Sequence, residues 1–305
     1  MAKRDPNPLV SVVITTRNRW QELQNAVASC LAQDYRPLEI LVYDDASEED
    51  IAAKVRVRFP TVRAVRSPEN AGYVSLRNRG FREARGKYIF SLDDDAYYTD
   101  PQTITPAVRQ LEQHPRVAVA ALAFTEPGMN GIMGFPHQEG MDSLQPLLVA
   151  SFTGTAHAVR RQAALEVGGY REFFFHQGEE VDLAVRLMEK GWQILAVPAP
   201  PLRHLASPQR DWRRLHIYGP RNAILFNFLN APFPEVVTRL LVNTLGVLWH
   251  GLRVKEPWLK ILGVASGYRD CLHYFWQRKP VSAQTWRRFR TLARDPEPLA
   301  GQGVA

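Results

Sequence analysis

Two acidic groups in the sequence invite chemistry. "GKYIFSLDDDAYYTD" (86–100) runs from strand-like apolar residues straight into Asp93, Asp94 and Asp95. "GEEVD" (178–182) places Glu179 and Glu180 at the start of an amphipathic helical pattern. Two carboxylates about 4 Å apart repel by roughly 4 kcal/mol at an effective dielectric near 20, so a run of three calls for a cation. In a strand, alternate residues share a face, which puts Asp93 and Asp95 together and Asp94 opposite. Two hard oxygen ligands at a strand end suit Mg²⁺ or Mn²⁺ with positions left open for phosphate oxygens. The plainer reading of the trio is an acidic loop that caps the next segment. Taken by themselves, Glu179 and Glu180 read as favourable charges at a helix N-terminus. Asp182 has a structural reading, since Arg186 lies four residues on.

The elements that must hold these groups alternate. "LVSVVITT" (9–16), "LEILVYDD" (38–45), "TVRAVRS" (61–67) and "KYIFSLDDD" (87–95) read as strands. Helical spacing covers 21–33, about 48–58, and 72–86 with Gly86 as its stop. Such alternation predicts right-handed crossovers and an α/β fold with a mainly parallel sheet. Ligands then sit beyond the carboxyl ends of the strands, where Thr15, Thr16, Arg17, Asp44, Asp45 and the Asp trio all fall. Further on come a helix near 103–114, strands at 116–124 and 147–159, a short helix over "RRQAALEVGGY", a helix at 178–192 and a strand at "QILAVP". Residues 126–140, rich in Gly, Pro and Met, read as a mobile loop or irregular excursion. After about residue 206 strand signals vanish, and helical patterns follow, interrupted at Pro220, Pro232 with Pro234, Pro257 and Pro280.

Composition narrows the classes. The 305 residues carry 45% hydrophobic and 23% charged side chains, an ordinary globular mixture. Cys30 and Cys271 form no CxxC pair, and "MAKRDPNP" has no apolar leader, so the expectation is a reducing, cytoplasmic home. The formal charge of +7 is uneven: from Arg203 on there are 16 Lys plus Arg against 6 Asp plus Glu, and five of the seven tryptophans. A basic, Trp-rich end points to an anionic surface, membrane or nucleic acid; the plainer reading is a helical appendage with solvated arginines. "VVTRLLVNTLGVLW" (236–249) is too short and polar for a span of ~20 apolar residues.

In order along the chain, "VSVVITTRNR", "LEILVYDDAS", "NAGYVSLRNRGFREARGKYIFSLDDDA", "FTGTAHAVRRQAALEVGGY" and "GEEVDLAVRLMEKGW" resemble the blocks of the family-2 inverting glycosyltransferases, nucleotide-sugar-dependent enzymes of GT-A fold. The resemblance covers roughly residues 9–205. It implies a GT-A catalytic domain over 1–205; the helical patterns read over 206–305 make a separate C-terminal region. It implies that Thr15, Arg17 and Asp45 meet the nucleotide, with Asp45 at the nucleobase or ribose; a helix-capping turn is the other reading of Asp45. Arg77 and Asn78 would face the diphosphate, although a solvated helix face suits Arg77 too. Asp93 and Asp95 match the family's metal motif, Asp94 adjoins the donor, and His204 matches a histidine that can complete the metal site. Gly154 and Thr155 resemble the segment under the acceptor, with a glycine that admits close approach.

At the catalytic position the family commonly has an acid followed by Asp. This chain has Glu179-Glu180, so Glu180 matches the base and Glu179 stays in play. The implied cofactor is manganese or magnesium (Mn²⁺ or Mg²⁺). The implied partners are a UDP-, dTDP- or GDP-linked sugar and a saccharide or lipid-linked acceptor, with peripheral membrane contact through the C-terminal region. A single addition in surface polysaccharide or glycolipid synthesis fits better than a processive polymerase, since no QxxRW motif is present. A nucleotidyltransferase and a non-catalytic sugar- or nucleic-acid-binding protein of this fold are the rivals. A dehydrogenase is excluded by the missing Gly-rich turn after the first strand.

Overall fold

The computed structural model describes residues 7–129, 131–134, 145–205, 212–251, 253 and 256–299. Much of the expected loop at 126–140 lies outside the described residues.

Among the described residues a mixed sheet forms the centre. β1 (Val10–Thr16) pairs in parallel with β2 (Leu38–Asp44) on one side and β4 (Tyr88–Asp93) on the other. β3 (Arg63–Arg66) extends the parallel half beyond β2. These strands alternate with α1 (Trp20–Leu31), α2 (Ile51–Arg58) and α3 (Tyr73–Glu83). Every residue of β1 is buried, as expected for a strand covered by helices on both faces. Asp50 caps α2 by accepting the Ala53 backbone N–H.

The register sets the ligand edge. Thr16 stands opposite Asp44, and Thr15 opposite Asp93, so three loops leave the sheet at one level. β9 (Ala156–Arg160) enters antiparallel between β4 and β6 (Val117–Ala121), with Ala156 opposite Leu92. Being antiparallel, β9 starts where its neighbours end, which brings Gly154 and Thr155 to the same edge. The single strand expected over 147–159 is therefore two, β8 (Leu147–Leu148) and β9. The sheet is parallel only in part: β8 pairs antiparallel with β10 (Gln193–Ala196), and β10 lies parallel to β6. A second, three-stranded sheet joins β5 (Ala96–Tyr98), β7 (Phe124–Thr125) and β11 (Leu202–His204). Its antiparallel β5–β11 pairing sets His204 opposite Ala96, one residue past Asp95.

α4 (Ile104–Gln113), α5 (Arg161–Glu166) and α6 (Glu179–Glu189) complete the α/β part. α3 ends at Glu83, short of Gly86. Gly86 matters for another reason, since a side chain there would strike Ser11.

The C-terminal helices are α7 (Trp212–Asn230), α8 (Glu235–Gly251), α9 (Pro257–His273) and α10 (Ala283–Leu292). Pro220 does not interrupt: it lies inside α7. Gly263 and Gly267 of α9 sit against the Ile217 and Arg221 carbonyls of α7, so close that a methyl group at either would overlap backbone. That close packing holds the helix through the missing N–H of Pro220. α7, α9 and Phe174 share a small core of Ile224, Leu225, Leu229, Val264 and Cys271. α10 belongs elsewhere: Trp286, Phe289 and Leu292 join the apolar core beneath the main sheet. β12 (Glu297–Pro298) then pairs with β8, so the region read as purely helical returns to the sheet.

Candidate functional site

One cleft of about 500 Å³ opens at the ligand edge of the sheet. Thr15, Arg17, Asp45, Arg77, Asp93, Asp94, Asp95, Gly154, Thr155, Glu179 and Glu180 all line it.

β4 ends at Asp93, and Asp94 and Asp95 follow in a turn, so strict strand alternation stops before the trio is complete. Asp93 accepts from Arg77 Nη2 at 2.6 Å and from Thr155 Oγ1 at 2.8 Å. Asp94 accepts from Thr16 Oγ1 at 2.8 Å. Arg19 Nη1 lies 3.0 Å from both Asp94 Oδ1 and Asp95 Oδ2. Burial, and then the charges of Asp95 and Asp93, push the Asp94 carboxyl up to about 7 despite Arg19 and Thr16. Arg77 and Arg19 bring two arginines to three carboxylates, so the trio remains short of positive charge.

Asp93, Asp95 and His204 offer ligand atoms that all lie within 4.8 Å of one another. His204 Nε2 is 3.2 Å from Asp95 Oδ1, and its Nδ1 is 2.7 Å from Glu126 Oε1. Burial works against the imidazolium, but Asp95 and Glu126 outweigh it and raise the His204 pKa. Two carboxylates and an imidazole whose far nitrogen is held by Glu126 fit a small divalent cation. The donor set and its unbalanced charge therefore make this a candidate metal site.

Arg77 links this cluster to the second acidic pair. It is buried, donates to Asp93 and to the Gly154 carbonyl at 3.1 Å, and lies 3.6 Å from Glu179 Oε1. Burial opposes its charge, but Asp93, Tyr170, Tyr73 and Glu179 outweigh that cost and hold it ionised. Its guanidinium also stacks 4.8 Å over the Tyr73 ring.

Glu179 and Glu180 open α6, where the helix N-terminus favours negative charge. They are not equivalent. Glu179 is buried, accepts from Tyr73 Oη at 2.6 Å, and has no partner among the described residues for Oε2. Glu180 is half-buried at the cleft wall, with Oε1 against Gly154. Burial first, then the Glu179 charge, raise its carboxyl well above the usual range, with Arg77 pulling the other way. A carboxyl so raised is suited to accept a proton near neutral pH. Behind it, His157 is buried and neutral, its pKa pushed down to about 3 by burial and Arg77. It bonds to the Thr153 carbonyl and Tyr170 Oη.

At the nucleotide end, the Asp45 carboxylate accepts the Ala71 and Gly72 N–H groups at 2.7 and 3.0 Å. The helix-cap reading belongs instead to Asp50, while Asp44 accepts from Ser47 N and Ala52 N. Thr15 is buried and Arg17 is exposed.

Asn78 departs from expectation. Its amide donates to the Tyr170 carbonyl and Glu172 and accepts from Tyr170 N, and it is absent from the cleft wall. One turn position separates it from Arg77, which is enough to aim it at a neighbouring loop. Asp182 takes the predicted pair with Arg186 at 2.8 Å and adds Arg171 and Asn230 of α7.

Arg19, Tyr73, Glu126, His176, Gln177 and Arg214 were not singled out as site residues in the sequence. All but Glu126 line the cleft. Arg19 follows the first strand by three residues, a signal available there; Arg214 comes from α7, which only the tertiary fold brings near. Asn222 of α7 also ties down the cleft rim, donating to the carbonyls of Phe174, His176 and Gln177.

Comparison with known proteins agrees with this layout. The family model "Glycosyl transferase family 2" matches residues 11–168, over half of the chain. An uncharacterized glycosyltransferase of Bacillus subtilis, YwdF, is 32% identical over 103 residues, 34% of this chain and 38% of that protein. A Campylobacter jejuni GalNAc(5)-diNAcBac-PP-undecaprenol beta-1,3-glucosyltransferase is 26% identical over 193 residues, 60% of each chain. The chain thus spans less than two thirds of the length of these relatives. Mannosyltransferase PcManGT from Pyrobaculum calidifontis, solved with GDP-Man and Mn²⁺, aligns with a TM-score of 0.61 at 18% identity, over 94% of this chain and 80% of that one. That likeness establishes the GT-A fold.

Proposed function

We propose that this chain, which belongs to glycosyl transferase family 2, moves a sugar from a nucleotide-diphosphate donor to an acceptor hydroxyl with inversion at the anomeric carbon. One observation carries the reading. Two carboxylates of a metal-type triad (Asp93 and Asp95, with His204 against Asp95) and a raised, cleft-facing carboxyl (Glu180) share one cleft, and Arg77 reaches between their neighbourhoods.

The donor lies along the sheet edge. Asp45, with Thr15 and Arg17 beside it, takes the nucleoside, where a carboxylate can accept an imide N–H or ribose hydroxyls. Asp93, Asp95 and His204 would hold Mn²⁺ or Mg²⁺, which would supply positive charge for the departing diphosphate. Glu126 keeps the His204 ring turned toward Asp95. Arg77 and Arg19 add fixed positive charge beside the same carboxylates.

Glu180 accepts the proton of the acceptor hydroxyl as that oxygen bonds to the anomeric carbon and the bond from that carbon to the diphosphate oxygen breaks. The nucleoside diphosphate leaves with the bonding electrons. Glu180 holds this role rather than Glu179, because Glu179 is buried and already takes the Tyr73 hydrogen bond. Gly154 leaves room for Glu180 and, with Thr155, forms the floor beneath the acceptor. A lipid-linked acceptor is consistent with the undecaprenol-linked substrate named for the Campylobacter relative. A single addition in surface polysaccharide or glycolipid assembly, at the inner face of a membrane, is the setting that suits such an acceptor.

The test is nucleotide release from UDP-, dTDP- and GDP-sugars with Mn²⁺ and lipid-linked acceptors, with the product anomer read by NMR. Release from one donor with inverted product is expected. Retention of configuration, or no release with any donor, overturns the reading.

A further inference from the structure

No helix among the described residues is long and apolar enough to cross a membrane. Yet α8 and α9 turn their apolar side chains outward. Leu241, Leu245 and Trp249 of α8 are 57, 66 and 63% exposed, and Trp258, Ile261 and Leu272 of α9 are 51, 56 and 80% exposed. The spacing of four on α8 makes a single stripe along the helix. α9 has its other side committed: Gly263, Val264, Gly267 and Cys271 face α7.

The two stripes form one surface. The helices run antiparallel, for Thr244 bonds Tyr268 at 2.8 Å while Gly251 abuts Lys260. An apolar hollow of about 430 Å³ between them is walled by Leu245, Leu248, Trp249, Pro257 and Ile261. Contiguous apolar patches of this kind on a soluble chain mark a place of contact.

Charge identifies the occupant. Across 235–279 the sequence has seven Lys plus Arg against three Asp plus Glu. Arg253 lies over the Trp249 ring at 5.4 Å, and Arg213 over the Trp258 ring at 5.9 Å. Lys260 stands at the hollow itself. Tryptophan rings with arginine heads beside them match the depth at which acyl chains give way to anionic headgroups. A second copy of the same face would set these cations against one another.

We propose that the outward face of the α8–α9 hairpin is a docking surface for an anionic phospholipid bilayer, lying in its interface without spanning it. This extends the glycosyltransfer reading by fixing how the cleft is held over a lipid surface. α9 packs closely on α7 at Gly263 and Gly267, and α7 supplies Arg214 to the cleft wall, so the hairpin is joined to the cleft through one helix.

The test is flotation of the full chain with vesicles, no donor or acceptor present, which separates it from any failure of transfer. Vesicles containing about a third phosphatidylglycerol should capture the protein at least about tenfold better than pure phosphatidylcholine. Leu245→Gln with Trp249→Gln and Ile261→Gln should lower capture by about tenfold or more. Arg253→Glu with Arg213→Glu should abolish the preference for anionic lipid. These side chains are exposed, so an unchanged cooperative melt and unchanged Mn²⁺ binding serve as folding controls. Equal capture of variant and parent, or no capture on anionic vesicles, overturns the proposal. So does a dimer of the parent that the apolar variant dissolves, which would assign the face to a second copy.

Discussion

Glu126 Oε1 holds His204 Nδ1 at 2.7 Å, from a segment whose sequence shows no periodic pattern. The bond fixes the ring so that Nε2 faces Asp95, where a divalent cation would sit. Glu126→Gln keeps the shape and weakens that hold. Mn²⁺ affinity, read by calorimetry, should fall about 10- to 100-fold, whereas Asp95→Ala should remove binding altogether. Unchanged affinity in Glu126→Gln would detach that carboxylate from the metal site.

The acidic trio makes the metal-free protein sensitive to pH. The Asp94 carboxyl is raised to about 7, chiefly by burial. A carboxyl raised on folding stabilises most when protonated in both states, and that contribution is lost as pH climbs from about 4 through about 7. His204, also raised, acts in the same direction, but only above its ordinary value near 6.5. The melting temperature of metal-free protein should fall over that range, Mn²⁺ should restore it, and Asp94→Asn should flatten the slope. A metal-free melting temperature that rises with pH there would contradict the charge balance described.

Glu180 is the proposed base, and it must be ionised to act. Its raised pKa means that transfer should increase with pH through a limb above the ordinary carboxylate range. Glu180→Gln should abolish that limb and lower turnover by ~10²-fold or more while donor binding persists. Full turnover in Glu180→Gln would shift proton removal to another group.

Gly154 tests the same geometry from the opposite side. A Cβ there overlaps Glu180 Oε1 and comes within 2.9 Å of Arg77 Nη1. Gly154→Ala should displace the carboxylate by a few tenths of an ångström or more, and a shift of about 1 Å costs on the order of 10²-fold in rate. Normal turnover in Gly154→Ala would show that Glu180 can do its work from elsewhere.

Tyr73 carries a structural debt to Glu179. Tyr73→Phe deletes a 2.6 Å hydrogen bond to a buried carboxylate whose other oxygen has no partner among the described residues. Loss of about 1–3 kcal/mol in unfolding free energy is expected. A stability equal to the parent would show that the Tyr73–Glu179 hydrogen bond adds nothing to the fold.

The positions that chemistry needs were legible because topology is local. Alternating strands and helices force their loops to one edge, which is why Asp45, Asp93 and Asp95 could be grouped before any coordinates; Glu180 joined them only through the family resemblance. What could not be read is direction. Arg77 and Asn78 are adjacent on α3, and only packing decides that the first enters the cleft and the second braces Tyr170. Long-range partners were equally hidden. Arg214 and Asn222 reach the site from a helix that begins after the α/β part, and nothing near them in sequence announces it. Pro220 misled for a related reason, since a glycine pair some forty residues away supports the helix around it.

The pairing of β12 with β8 makes the last described residues a seam rather than a tail. Trimming the chain before α10 would pull Trp286 out of the interior and bare the hydrogen-bonding edge of β8 to any passing strand. A shortened protein would then clump before it could reveal anything about catalysis, so the far end of this polypeptide guards the solubility of a sheet begun nearly three hundred residues earlier.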